Sequence, residues 1–172
     1  MTVRAYIGLG SNLAEPTRQI QQAIDALAVL PLSKLVARSA LYRSAALSSP
    51  ELSHADDNEP QADYLNAVAA IDTALAAHAL LALLLQIEQT QGRVRSGQRW
   101  AARTLDLDLL LFGDLTLSTA ELTLPHYALT ERAFVVLPLH EIAAELRLPD
   151  GTEIAALAAL LDNGSVLRLT AG

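Results

Sequence analysis

Arg103-Thr104-Leu105-Asp106-Leu107-Asp108-Leu109-Leu110-Leu111-Phe112 is an apolar run interrupted by two carboxylates two residues apart. Apolar residues at this density and length read as a buried strand. Along a strand, side chains at i and i+2 point to one face and lie roughly 7 Å apart. Asp106 and Asp108 are therefore expected on one face, with Leu105, Leu107 and Leu109 on the other. At an effective dielectric near 20 the two carboxylates repel by roughly 2 kcal/mol, so a buried pair calls for a counter-charge. Taken alone, D-x-D is also satisfied by a half-exposed strand with a solvated polar face. The segment just upstream shifts that balance. Gly92-Arg93-Val94-Arg95-Ser96-Gly97-Gln98-Arg99-Trp100, with Arg103, puts four arginines beside the aspartates. Arginine forks suit phosphate oxygens. Mg²⁺ takes oxygen ligands and commonly shares them with substrate phosphates.

Working outward, residues 3–9 read as a first strand closed by Gly10-Ser11-Asn12. Glu15-Pro16 opens a helix to about Val29, with Ile20, Ala23, Ile24 and Leu27 at helical spacing. Residues 35–47 read as one long strand, 48–63 as a polar loop, and 64–71 as the next strand. A second helix over 76–91 is stopped by Gly92. The order β-α-β-β-α-β is the ferredoxin-like arrangement of helices on an antiparallel sheet, an α+β class. C-terminal additions are expected as a short strand pair within 115–124, helices near 131–137 and 154–161, and a last strand at 166–169. They would leave helices on both faces of the sheet. With 172 residues, no repeat and no linker, a single domain over 1–172 is expected.

Composition narrows the function. A net charge of −7 argues against broad binding to nucleic acid or to an anionic membrane. An anionic substrate needs a local positive patch, and the arginine segment provides one. The chain has no cysteine, which removes disulfides and thiolate metal sites and fits a reducing cytoplasm. The N-terminus lacks the apolar stretch of a signal peptide, and apolar runs such as 79–85 are too short to span a bilayer. Walker A, full dinucleotide-fingerprint and H-E-x-x-H patterns are absent. Tyr64 and Asn66 share a strand face, pairing a ring that stacks with an amide that both donates and accepts.

These pieces, in order, resemble one family. They are Tyr6-Ile7-Gly8-Leu9-Gly10-Ser11-Asn12-Leu13, Tyr64-Leu65-Asn66, Gly92-Arg93-Val94-Arg95, Arg99-Trp100, the Arg103–Asp108 run, Leu124-Pro125-His126-Tyr127 and Arg132-Ala133-Phe134. Together they resemble the 6-hydroxymethyl-7,8-dihydropterin pyrophosphokinases of folate biosynthesis, over nearly the whole chain. The resemblance implies a Mg²⁺-dependent transfer of pyrophosphate from ATP to the pterin hydroxymethyl group, with release of AMP. It implies that Asp106 and Asp108 hold two Mg²⁺ ions, and that Arg93 and Arg103 stabilise the polyphosphate with Arg95 nearby. His126, Tyr127 and Arg132 would contact ATP, and Trp100 would sit in the lid over it. Tyr64 and Phe134 would sandwich the pterin ring, Asn66 would bond its edge, and Gly10 with the backbone from Ser44 to Leu47 would complete the pocket.

The sequence departs from the family pattern in four places, one of them a loop over 48–63 that is longer than usual. Ser44-Ala45-Ala46-Leu47-Ser48 stands where the family has Thr-Pro-x-x-Gly, so proline rigidity and glycine freedom are both gone. Ala101-Ala102 replaces Gly-Pro, and Ser96 replaces a lysine. The metal ligands and key arginines are intact, so activity is expected. Competing readings are a nucleotide- or pterin-binding homologue with weak activity, a ferredoxin-like RNA-binding module, and a metal-dependent phosphodiesterase. The negative charge and the missing aromatic RNP-type strand argue against the RNA module. The expected partners are small molecules only, with a monomer favoured.

Overall fold

Strand β1, Val3–Ser11, lies in the middle of the sheet, antiparallel to β4 (Tyr64–Thr73) on one side and to β5 (Asp106–Phe112) on the other. The computed structural model describes residues 1–12, 15–44, 63–91 and 105–169. Strands β2 (Ser33–Arg38) and β3 (Tyr42–Ser44) both pair with β4, and β8 (Leu167–Arg168) adds to β3. A two-stranded hairpin, β6 (Leu117–Ser118) and β7 (Thr123–Leu124), follows β5. The expected α+β architecture, a ferredoxin-like β-α-β-β-α-β core with C-terminal additions, is present. Among the described residues no helix is long and apolar enough to cross a membrane.

Period-two alternation sorts the sheet into two faces. Ala5, Ile7 and Leu9 of β1, Leu65, Ala67, Ala69 and Ile71 of β4, and Leu107 and Leu109 of β5 join one apolar cluster. Two helices cover it. In α1 (Pro16–Ala28) Ile20, Ala23, Ile24 and Leu27 form the buried stripe. In α2 (Ala77–Thr90) the stripe is Ala77, Leu80, Leu84 and Glu88. The opposite face carries a second cluster built on Tyr6, Val68, Ala70, Leu110 and Leu111. It is covered by α3 (Ala133–Ile142) through Val135 and Leu139, and by Ile154 of α4 (Ile154–Leu161). At roughly 1.5–3 kcal/mol for each fully buried aliphatic side chain, these two clusters are the main stabilising term.

Several sequence expectations needed revision. The long strand over 35–47 is two strands. At the break, Ser39 donates its N–H to the Val68 carbonyl (2.8 Å) and accepts the Val68 N–H on its hydroxyl (2.9 Å). A side chain has replaced a ladder carbonyl there, so the chain turns without orphaning a backbone group. Strand β1 runs two residues past the expected Leu9 end, because Gly10 and Ser11 still pair with Asn66 and Leu65. Helix α3 starts later and ends later than the expected 131–137, and Pro138 lies inside it without stopping it. In β5 the alternation slips once. A register shift opposite Tyr6 and Ile7 turns Leu110 and Leu111 both toward the second cluster.

Candidate active site

The register of three strands assembles the site. Gly10 of β1 stands opposite Asp106 of β5 on one side and opposite Asn66 of β4 on the other, and Asn66 stands opposite Tyr42 of β3. Residues in one register row face the same way, so Asp106, Gly10, Asn66 and Tyr42 line up across the face opposite α1 and α2. The neighbouring row contains Asp108 and Gly8. Adjacent strands are about 4.8 Å apart, which separates the aspartate and the amide by about 10 Å. The space between them is floored by bare glycine backbone. A side chain at Gly10 would meet Asn66 Oδ1 at 3.4 Å and the Tyr64 ring at 3.8 Å.

A cavity of about 530 Å³ opens over this floor and continues round the edge strand β5 to α2, where Leu81, Leu85 and Glu88 line it. Its walls are Tyr64 and Asn66 on the sheet, Phe134 and Val135 at the start of α3, residues 119–123 of the hairpin, and His126, Tyr127 and Arg132. Both aspartates, Gly10 and Ser44 line it too. The structure thus brings together every expected site residue that it describes. Leu47, Arg93, Arg95, Trp100 and Arg103 lie outside the described residues.

At the amide end, Asn66 is 5% exposed and its Nδ2 donates to Ser44 Oγ at 2.8 Å and to the Tyr42 carbonyl at 3.4 Å. These bonds fix the amide plane and turn Oδ1 toward Gly10. Tyr64 and Phe134 are both half-buried, presenting ring area to the cavity. At the carboxylate end, Asp108 Oδ1 is 3.8 Å from His126 Nε2. His126 follows a cis Leu124-Pro125 bond, donates its backbone N–H to the Leu110 carbonyl, and accepts the Ala128 N–H on Nδ1 at 3.2 Å. Burial holds its pKa below the usual value, the nearby Arg132 charge adds to that, and Asp106 pulls the other way. The imidazole is therefore neutral near pH 7, with its proton on Nε2 facing Asp108. The His126 and Tyr127 rings stack at 4.7 Å. The Arg132 guanidinium lies 6.0 Å over the Tyr127 ring and 5.7 Å over the Phe134 ring, contacts worth about 0.5–1 kcal/mol each when exposed.

One residue lining the cavity escaped the sequence reading. Glu88 is 1% exposed and accepts the backbone N–H of Leu107, the residue between the two aspartates, at 2.8 Å. It satisfies a buried donor on the sheet's edge strand, a job that otherwise falls to water. The signal was available: Leu80, Leu84 and Glu88 continue one buried stripe at i, i+4 and i+8.

Among the described residues no group of three or more His, Cys, Asp or Glu could hold a metal ion. Two carboxylates on one face remain, an incomplete oxygen set. An oxygen set of this kind fits Mg²⁺, which usually keeps waters and completes its shell with substrate phosphates.

The fold and site together define an α+β ferredoxin-like domain whose cavity holds a carboxylate pair at one end and aromatic rings with a bonded amide at the other. Comparison with known proteins makes the class specific. Residues 6–144 match the family model of 7,8-dihydro-6-hydroxymethylpterin-pyrophosphokinase (HPPK). The chain is 49% identical over 169 residues to a 2-amino-4-hydroxy-6-hydroxymethyldihydropteridine pyrophosphokinase of Pseudomonas aeruginosa, covering 98% of each. It is 41% identical over 167 residues to the enzyme of that name from Haemophilus influenzae, covering 97% of this chain and 98% of that one. Its fold matches a solved HPPK-DHPS in complex with substrates, with a TM-score of 0.71 at 13% identity, over 99% of this chain and 47% of that one. The chain thus spans about half the length of that solved protein. It belongs to the HPPK family, and it is an enzyme of the diphosphokinase type.

Proposed function

We propose that this cavity transfers pyrophosphate from ATP to the hydroxymethyl group of 6-hydroxymethyl-7,8-dihydropterin, with the pterin over Gly10 and the polyphosphate over Asp106 and Asp108. The observation that carries this reading is the register row of Asp106, Gly10 and Asn66. It sets a carboxylate and an amide at opposite ends of a bare floor about 10 Å long, the reach of a fused ring plus a hydroxymethyl and a phosphate.

In this reading the pterin ring lies between Tyr64 and Phe134, each ring contact worth about 0.5–1.5 kcal/mol beyond area burial. Asn66, its Nδ2 already engaged by Ser44 and the Tyr42 carbonyl, offers Oδ1 to the donor groups of the pterin edge. Asp106 and Asp108 would hold the two Mg²⁺ ions expected from the family. Bound there, the metal would neutralise phosphate charge. His126 as the neutral Nε2–H tautomer donates to a phosphate oxygen without adding charge. Arg132 lies over Tyr127 and Phe134, and in this reading it would contact the nucleotide and close one side of the ring slot. The sequence adds Arg93, Arg95 and Arg103 for the polyphosphate and Trp100 for the lid.

The pterin hydroxyl oxygen attacks the β-phosphorus in line. A new O–P bond forms, the bond from that phosphorus to the α–β bridging oxygen breaks, and AMP leaves with the bridging oxygen. The hydroxyl proton passes to solvent. Such a reaction needs alignment and charge neutralisation more than covalent help. The absence of cysteine and the role in folate biosynthesis fit a cytoplasmic location.

The test is AMP release assayed with and without Mg²⁺ and with and without the pterin. The reading requires both. ATP cleavage at the same rate without pterin would replace it with a metal-dependent phosphodiesterase.

A further inference from the structure

One carboxylate outside the cavity ties together the parts that form the pterin slot. Glu141, in the last turn of α3, accepts the Tyr42 hydroxyl at 2.7 Å and the Arg168 Nε–H at 2.9 Å on one oxygen. Its other oxygen accepts the backbone N–H of Ala40 at 2.8 Å. The three donors belong to β3, β8 and the break between β2 and β3. Helix energetics alone does not favour an acid there, since a negative charge in the last turn opposes the helix dipole. Its partners are long-range in sequence and must supply the reason. Three hydrogen bonds and the Arg168 charge hold the Glu141 carboxyl below the usual range against the opposing effect of its partial burial.

What these contacts fix is the slot. Phe134 and Glu141 are seven residues apart on α3, close to two full turns, so they share one helix face. Tyr42 is the register partner of Asn66, and its carbonyl and Ser44 hold the Asn66 amide. Glu141 thus anchors the helix that carries Phe134 to the strand that orients Asn66. We propose that Glu141 is a positioning residue for the pterin subsite, setting the separation of Phe134 from Asn66 and Tyr64 without touching either substrate. This rests on the pterin site proposed above. Glutamine at this position keeps the shape but has one acceptor oxygen in place of two, so either Ala40 or the Tyr42–Arg168 pair loses its partner. A slot widened by a fraction of an ångström penalises the rigid ring, while Asp106 and Asp108 stand on β5, which the hydrogen bonds of Glu141 to Ala40, Tyr42 and Arg168 do not reach.

The experiment measures KM for the pterin and for ATP, with kcat, in Glu141→Gln, Tyr42→Phe and Tyr64→Ala. Glu141→Gln should raise the pterin KM about tenfold and change the ATP KM less than about twofold. Tyr42→Phe, which removes one donor and keeps the buried ring, should shift the pterin KM in the same direction by about threefold. It also carries the test should Glu141→Gln fold poorly. An unchanged pterin KM in both variants, or equal rises for pterin and ATP, would overturn the proposal. Tyr64→Ala separates the two levels of inference. If it raises the pterin KM while the Glu141 and Tyr42 variants do not, only the positioning role fails. If it does not, the ring site itself is misassigned.

Discussion

Replacing Gly10 with alanine should move stability and substrate binding in opposite directions. Gly10 has ordinary strand backbone and is not among the described residues with positive φ, so alanine fits its conformation. The added methyl would lie 3.4 Å from Asn66 Oδ1, 3.8 Å from Tyr64 Cδ1 and 3.9 Å from the Leu65 carbonyl, all ordinary contact distances. Nothing must shift to admit it. The substitution also restricts the unfolded chain, which stabilises by about 0.4–1 kcal/mol where the native backbone is compatible. For a chain of this size that corresponds to a Tm rise of about 1–4 °C. The same methyl stands on the bare floor between Asp106 and Asn66. A ring lying there must lift or slide by about 1 Å, enough to cost on the order of 10²-fold in productive binding. ATP affinity should stay within about twofold, because the methyl points at the amide end of the cavity. Urea denaturation gives the first quantity, and calorimetry with the pterin and with a non-hydrolysable ATP analogue gives the others. Unchanged pterin affinity would refute the seating of the ring over Gly10. A loss of stability would refute the packing argument.

Asp106→Asn and Asp108→Asn should each lower turnover by more than about 10²-fold, the scale on which even the outer partners of metal ligands act, while the fold survives. Full AMP formation by either variant at saturating Mg²⁺ would remove the metal site. Tyr64→Ala and Phe134→Ala should each weaken pterin binding by on the order of 1 kcal/mol more than ATP binding, and equal calorimetric losses for both ligands would count against the stacking slot. Tyr42 predicts an alkaline effect. Burial, with its hydrogen bond to Glu141, raises its pKa from 10.0 to about 12. A raised phenol pKa means the folded state holds the proton more tightly. Its contribution is complete below 10.0 and is lost as pH rises toward about 12. Tyr42→Phe should therefore be less stable at neutral pH and lose less between those limits, and parallel denaturation curves for both proteins across that window would contradict this.

Local pattern carried a large share of the molecule. Strand and helix periods are set within a few residues, so Asp106 and Asp108 on one face of β5, the stripe of α1 and the pairing of Tyr64 with Asn66 could be read directly. Some features depended on partners distant in the chain. The break at Ser39 exists because Val68 offers both a donor and an acceptor there. The slip at Leu110 arises from pairing with β1. Neither can be seen in a single strand's alternation, which predicts an unbroken period of two.

The amino-acid sequence by itself determined the chemistry available: two carboxylates at strand spacing, glycines at positions 8 and 10, a ring and an amide two residues apart, and a His-Tyr pair after a proline. Tertiary structure decided how those groups face one another. Only the register of β5, β1, β4 and β3 sets Asp106, Gly10, Asn66 and Tyr42 in one row. Only the fold brings the Glu141 carboxylate to Ala40 and Tyr42, partners 101 and 99 residues away. The reason is physical. Which face a side chain takes is dictated by its own backbone and nearest neighbours. Which groups meet across strands depends on hydrogen bonds and packing that exist only once the whole sheet has closed.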